Sequence, residues 1–329
     1  MSAAIDSALV GRFASFFERA PTVEAPLAIA VSGGPDSMAL LALAAQAWPD
    51  AVSAATVDHR LRASAAEECA MVARVCAGLG VPHETLTADA PPAGASLQAQ
   101  ARELRYRLLI DWAAAAGAAA LATAHQADDQ AETFLVRAAR GAGLSGLAGV
   151  RASRRIEGAG LLLVRPLLDW RRAELRAIVR RAGLPFVDDP ANDDPRHDRT
   201  RFRRLLNEHE WLDTPHIARA AGHLAEADAE LRAIADWLWQ ARLRTGRWTG
   251  VKLDMSGLPR GLKRRLAQRA IGAVRETAGI TRPDWSPGAN IEPLLDALDR
   301  GKAATQAGVL VRPVGEAWHF RAAPARRNG

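Results

Sequence analysis

Residues 32–37 read Ser32-Gly33-Gly34-Pro35-Asp36-Ser37, directly behind a short apolar run (27–31) and directly ahead of an apolar helical stretch (38–47). A strand, a glycine turn and a helix N-terminus in that order form an anion cradle. Gly33 and Gly34 lack a Cβ, so backbone N–H groups can approach phosphate oxygens closely. Ser32 and Ser37 can add hydroxyl donors, and Asp36 can hold a Mg²⁺ ion that bridges phosphates. No lysine follows the glycines, and the spacing is not that of a Walker loop. An ordinary strand-to-helix turn is the competing reading, and the helix that starts at once behind the glycines weighs against it.

Four more chemically capable residues, His125, Asp128, Asp129 and Glu132, fall at i, i+3, i+4 and i+7 and so share one helix face. That face could be an acidic, well-capped helix start, a metal site, or a pocket for a cation such as an amine. Metal ligation is the weakest of these, because no other His or Cys stands at ligand spacing on the helix. Arg102, Arg105 and Arg107, interleaved with Glu103 and Tyr106, either neutralise phosphate charge or form a salt-bridged helix face. Asp58-His59-Arg60-Leu61-Arg62 follows a strand, as does Arg165-Pro166-Leu167-Leu168. The Asx-rich loop 188–195 precedes Arg199, Arg201, Arg203 and Arg204, which read equally well as an anion contact or a solvated helix face.

The elements that must position these groups alternate. Helices are expected over residues 3–19, 64–79, 96–116 and 127–140, with an Arg-rich helix running up to Gly183. Strands are expected at 27–31, 52–57, 83–86, 119–124 and 161–164. The pattern predicts an α/β fold, an open parallel sheet with helices on both faces. The motifs at Ser32, Asp58 and His125 each follow a strand, the place where such sheets gather their sites. From about residue 213 the alternation stops. A helix over 216–243, a basic amphipathic helix over 258–274 and a hairpin around 308–320 predict a smaller C-terminal α+β domain. The expected division is therefore 1–212 and 213–329, with a disordered tail from 322.

Composition narrows the class. The 329 residues carry a net charge of +6, but residues 1–150 carry −5, residues 151–212 carry +4 and residues 213–329 carry +7. An acidic front half behind which basic charge accumulates suits a protein that grips a polyanion with its rear. Cys69 and Cys76 lie seven apart in a helical stretch, a spacing for core thiols and not for a metal or redox motif. With no apolar run of membrane-spanning length and no basic leader, a soluble cytoplasmic protein without a membrane partner is expected.

These segments resemble the tRNA(Ile)-lysidine synthetases, within the PP-loop ATP pyrophosphatases (adenine nucleotide alpha-hydrolase-like fold). The resemblance runs over about residues 25–212 and more loosely beyond. It rests on residues 32–37, 57–62, 102–106, 165–168, 188–204 and above all 125–147, HQADDQAETFLVRAARGAGLSGL. It implies that ATP adenylylates the wobble cytidine of a CAU-anticodon isoleucine tRNA and that free L-lysine displaces AMP. Ser32, Gly33, Gly34, Pro35, Asp36 and Ser37 would then hold ATP, with Mg²⁺ on Asp36. Asp129 and Glu132 would bind lysine, and His125 would position it or accept a proton. Arg105 and Arg199 would contact ATP, lysine or the adenylylated base.

Thr200 stands where that family often has Asn, and Ala191 where Ser is common. Longer members carry a further C-terminal domain, so here the unit from 213 on is expected to grip tRNA, through Lys263, Arg264, Arg265 and Arg269. Competing readings are a tRNA thiolase, which needs exposed cysteines, a small-molecule amidating synthetase, which leaves the basic rear unexplained, and a dead ATP-sensing RNA binder, whose cradle would be degraded. A monomer and a homodimer both fit.

Overall fold

The computed structural model describes residues 4–60, 65–88, 97–188, 198–244, 246 and 249–324. Leu61, Arg62, Ser64, the loop 89–94, Ser96, the Asx-rich loop 189–195 with Ala191, and the tail from 325 lie outside the described residues. Contacts divide the chain into two units, Met1–Ala225 and Glu226–Gly329.

The first unit opens with α1 (Ser7–Ala14), started by Asp6, whose carboxylate accepts from Ala8 N at 2.9 Å. Then follow β1 (Leu27–Ala30), α2 (Pro35–Ala47), β2 (Val52–Asp58), α3 (Ala65–Gly78), β3 (His83–Thr87), α4 (Leu97–Ala115), β4 (Ala120–Ala122) and α5 (Ala127–Ala139). The glycine-rich stretch forms α6 (Leu144–Leu147). It leads through β5 (Ser153–Arg155) and β6 (Leu162–Val164) to α7 (Arg172–Arg181) and α8 (Asp198–Glu208). The long α9 (Thr214–Arg242) spans the division between the units.

The six strands lie in the order β3-β2-β1-β4-β6-β5. All neighbours are parallel except β5, which runs antiparallel to β6 at the edge. The expected parallel sheet is thus a mostly parallel one with a reversed edge. Successive β1 side chains alternate between two cores, as the period of a strand requires. Leu27 and Ile29 join α1, α2, α3 and α7 on one side, while Ala28 joins Leu109 and Ala113 of α4 on the other. Helices on both faces leave only the strand ends open, and the cradle leaves the carboxyl end of β1.

The second unit contains β7 (Val251–Asp254), α10 (Arg260–Thr277), α11 (Glu292–Asp299), β8 (Ala304–Gln306), β9 (Val309–Val314) and β10 (Ala317–Ala322). Its antiparallel sheet has the order β7-β10-β9-β8. One face, with Leu253, Val309, Val311, Trp318 and Phe320, packs on Leu266, Ile271 and Leu295 of the helices. This is the smaller α+β unit expected, with strands β7 and β8 added to the anticipated hairpin.

Candidate active site

The cradle is shaped by its own hydroxyls. Ser37 Oγ donates to Gly34 O at 2.9 Å and accepts from Ser32 N at 3.1 Å, so this buried side chain folds the turn. Ser32 Oγ lies 3.2 Å from it. Gly33 has φ +81°, the left-handed region that only glycine enters without strain, and its carbonyl accepts from Val187 N at 2.9 Å. Gly34 is the extended N-cap of α2, Pro35 takes the first helical position, and Asp36 lies in the first turn. Asp36 Oδ1 is buried and has no hydrogen-bond partner among the described residues. Burial, reinforced by the charge of Asp129, pushes its carboxyl up to about 6. Among the described residues no cation forms an ion pair with Asp36, and Arg172 and Arg176 only partly offset its burial.

The acidic face of α5 does not act as one patch. Asp128 accepts from Arg172 N at 2.9 Å and from Arg171 Nε at 3.2 Å, which fastens α5 to the start of α7. Asp129 closes a capping box with Gln126 and accepts from Arg172 Nη2 at 3.4 Å. A fifth of its side chain stays accessible, yet surrounding protein is dense enough that burial drives its carboxyl upward. Glu132, 1% exposed, receives Arg172 Nη2 at 3.0 Å and Arg203 Nε at 2.7 Å. Arg172 and Arg203 thus flank the candidate site through Glu132. Arg172 escaped sequence reasoning because it counted as one more charge on an Arg-rich helix. Its one signal was its place at a helix start.

His125 does not share that face, because it lies ahead of Gln126, the N-cap of α5, and so outside the helix. Its Nδ1 lies 3.1 Å from Thr123 Oγ1. Burial, with Arg165, Arg102 and Arg199 nearby, holds its imidazole down to about 3, so it is neutral. Arg199 Nη2 donates to Thr133 Oγ1 at 2.9 Å. Arg105 Nε donates to His59 Nε2 at 3.1 Å, which joins the helix motif of α4 to the segment behind β2. The rest of the long motif is scaffold. Gln130 clasps Val150 with both ends of its amide at 2.7 Å, and Arg137 Nη1 donates to the carbonyls of Gly146 and Gly149.

Comparison with known proteins sharpens the assignment. Residues 6–210 match a family described as PP-loop domain. A tRNA(Ile)-lysidine synthase of Zymomonas mobilis is 43% identical over 92% of this chain and 90% of its own length. The chain belongs to the tRNA(Ile)-lysidine synthase family. A second such synthase, from Novosphingobium aromaticivorans, is 44% identical over 91% of this chain and 90% of its own. A U34-tRNA thiolase, NcsA from Methanococcus maripaludis, superposes with a TM-score of 0.55 at 16% identity, over 67% of this chain and 79% of that one. That likeness shows the shared fold alone.

Two features of this lysidine synthase family member bear on its rivals and its substrate. Cys69 and Cys76 are both buried, and burial pushes the Cys76 thiol up to about 12, so neither is the exposed thiol a thiolase needs. The basic helix α10, where tRNA contacts were expected, is already neutralised. Lys263 pairs with Asp299 at 3.1 Å, Arg264 with Glu292 at 2.5 Å, Arg265 with Asp228 at 2.7 Å and Arg269 with Asp236 at 2.6 Å. Further basic charge stands on the sheet face turned from the core. There the register places Lys252, His319 and Arg312 in one row across β7, β10 and β9, with Arg321 two residues from His319.

Proposed function

We propose that the chain uses ATP to adenylylate the wobble cytidine of a CAU-anticodon isoleucine tRNA. It then joins lysine to that base and releases AMP and pyrophosphate. One observation supports this best. A glycine cradle with a carboxylate whose Oδ1 is buried and unpartnered among the described residues lies in the same unit as Asp129, whose charge Asp36 feels. The first suits a polyphosphate with its metal, the second an amine.

Asp36 Oδ1, buried and without a donor, fits a Mg²⁺ ion. Among the described residues no cluster of three His, Cys, Asp or Glu makes a ready cage, which suits an ion that would be held by Asp36 together with water and substrate phosphates. When bound, Mg²⁺ would neutralise charge on the departing pyrophosphate. The backbone N–H groups of the cradle would take the phosphate oxygens, as the free first turn of α2 allows.

Lysine attacks as a free amine, so its ammonium must be held and must lose a proton. Asp129 suits both tasks, because a raised proton affinity makes it a better base than an ordinary carboxylate. Glu132 already serves two guanidiniums and would hold lysine by shaping the site around Arg172. His125 is too weak a base at about 3 to take the proton and would position the reactants. Arg199, set on Thr133, and Arg105, set on His59, would meet phosphoryl charge or the activated base. The basic face of the second sheet that is turned from its core would take tRNA phosphates through Arg312 and Arg321. No helix is long and apolar enough to cross a membrane among the described residues, and the reaction belongs in the cytoplasm, where tRNA and ATP are found.

The deciding experiment supplies ATP, radiolabelled lysine and an unmodified CAU-anticodon isoleucine tRNA transcript. Lysine incorporation with equimolar AMP, lost in Asp36→Ala, is expected. Cleavage of ATP to ADP, or none at all, would overturn the reading.

A further inference from the structure

Arg165 has no part in the chemistry above, yet its surroundings are unusual. It follows β6 directly, and Thr123 N donates to Val164 O at 3.0 Å, so it stands beside the segment that carries His125. Only 7% of the residue is exposed. Its Nη1 donates to the Arg151 carbonyl at 2.7 Å, while Nε, on the other edge of the fork, is buried without an acceptor. The Tyr106 phenol lies alongside, and the Arg102 guanidinium sits 5.1 Å from the centre of the Tyr106 ring.

Charge makes the arrangement costly. Buried Arg165, with the exposed Arg102 and Arg199, acts on a neutral His125, and none of the three has a carboxylate partner among the described residues. Elsewhere in the unit Arg171, Arg172, Arg176 and Arg203 each face one. Arginine cannot shed its proton, so a buried guanidinium without a counter-ion stays charged and uncompensated. Holding the Arg151 carbonyl would occupy one N–H and explains neither the open edge nor the missing acid. A side-on guanidinium edge matches the two oxygens of a carboxylate or phosphoryl group.

We infer that Arg165, with Tyr106 beside it, forms a seat for one oxyanion of the reactants at the carboxyl end of β6. The inference rests on the proposed lysine transfer, which offers two such groups, the α-carboxylate of lysine and the α-phosphoryl group of the adenylate. The Tyr106 hydroxyl donates to the same oxyanion, and Arg102 is held near it by the ring.

The test compares wild type, Arg165→Gln, Arg165→Lys and Tyr106→Phe as full chains. Pyrophosphate release from ATP with tRNA alone reads the adenylylation step. Transfer of lysine, or of cadaverine, which lacks the carboxylate, reads the second. If lysine is the source, Arg165→Gln raises KM for lysine roughly 10- to 100-fold, leaves pyrophosphate release unchanged and loses the preference for lysine over cadaverine. If the adenylate is the source, pyrophosphate release slows by a similar factor and KM for lysine holds. Tyr106→Phe moves the same parameter by less. A folded Arg165→Gln with both parameters intact overturns the inference, as does a loss confined to melting temperature. Should Arg165→Gln fail to fold, Arg165→Lys keeps the charge without the fork, and wild-type values for it overturn the inference equally. Wild type that transfers no lysine at all refutes the lysine-transfer reading itself.

Discussion

Arg172 Nη2 reaches Glu132 Oε1 at 3.0 Å, and the same oxygen accepts from Arg203 Nε at 2.7 Å. One carboxylate, 1% exposed, thereby ties α7 and α8 to α5. Replacing Glu132 with Gln would remove a buried carboxylate from Arg203 and leave Arg172 with the longer contact to Asp129. Glu132→Gln is expected to lose about 3 kcal/mol of stability in urea unfolding, together with lysine transfer. Arg172→Lys, which keeps a cation but cannot span Asp129 and Glu132 together, should lose less stability and raise KM for lysine.

Asp36 titrates at about 6 in the folded protein, against about 3.9 for a free aspartate. A raised folded value means the native state binds the proton more tightly. Its contribution to stability is full below about 3.9 and is lost as pH rises through about 6. The ligand-free protein should therefore lose stability across that window, and Asp36→Asn should flatten the loss. The slope will not vanish, because Asp129 is shifted the same way. Activity runs opposite, since holding a cation needs the ionised form. Lysine transfer should rise through about pH 6, with the midpoint moving lower as Mg²⁺ increases, and EDTA should abolish it.

Gly149 has φ +65°, and a Cβ there would lie 2.6 Å from Gln130 Oε1, inside the clasp on Val150. Gly149→Ala combines left-handed strain with displacement of that amide and should cost about 2 kcal/mol. Protein that remains folded should keep its KM for ATP and lysine, because this part of the long motif is scaffold. A large change in either KM without loss of stability would place Gly149 in the site.

Arg312 and Arg321 lie on the face of the second sheet turned from its core, Arg312 exposed and Arg321 half-exposed, and neither has an acidic partner among the described residues. Changing both to Glu should weaken tRNA binding by tenfold or more and lower the salt slope by about two, while ATP binding holds. Arg264→Ala, which removes a cation already paired with Glu292, should leave that slope unchanged. Filter binding over a salt series distinguishes the two surfaces.

Local patterns explain what could be read from the chain. The cradle, the alternation of strands and helices and the shared face of Asp129 and Glu132 all follow from spacing over a few residues, whereas His125 stands before the N-cap of α5 and not on that face. Strand β5 was hidden because Ser153–Arg155 is exposed and has no apolar alternation, and it exists only as an edge pair with β6. Helix α10 shows the converse. Its basic face reads as an RNA contact until Asp228, Asp236, Glu292 and Asp299 come to meet it.

The order of residues alone determined the chemistry on offer: a phosphate cradle with Asp36, carboxylates at helical spacing, and arginines in excess. Tertiary packing decided how those charges pair. Among the described residues it gave Glu132 two guanidiniums, left Asp36 with no ion pair, and buried Arg165 without an acid. The reason is range. Helical and strand periodicity act over a handful of residues, whereas the partners of these charges stand about 40 to 70 positions away and meet only when the sheet is complete.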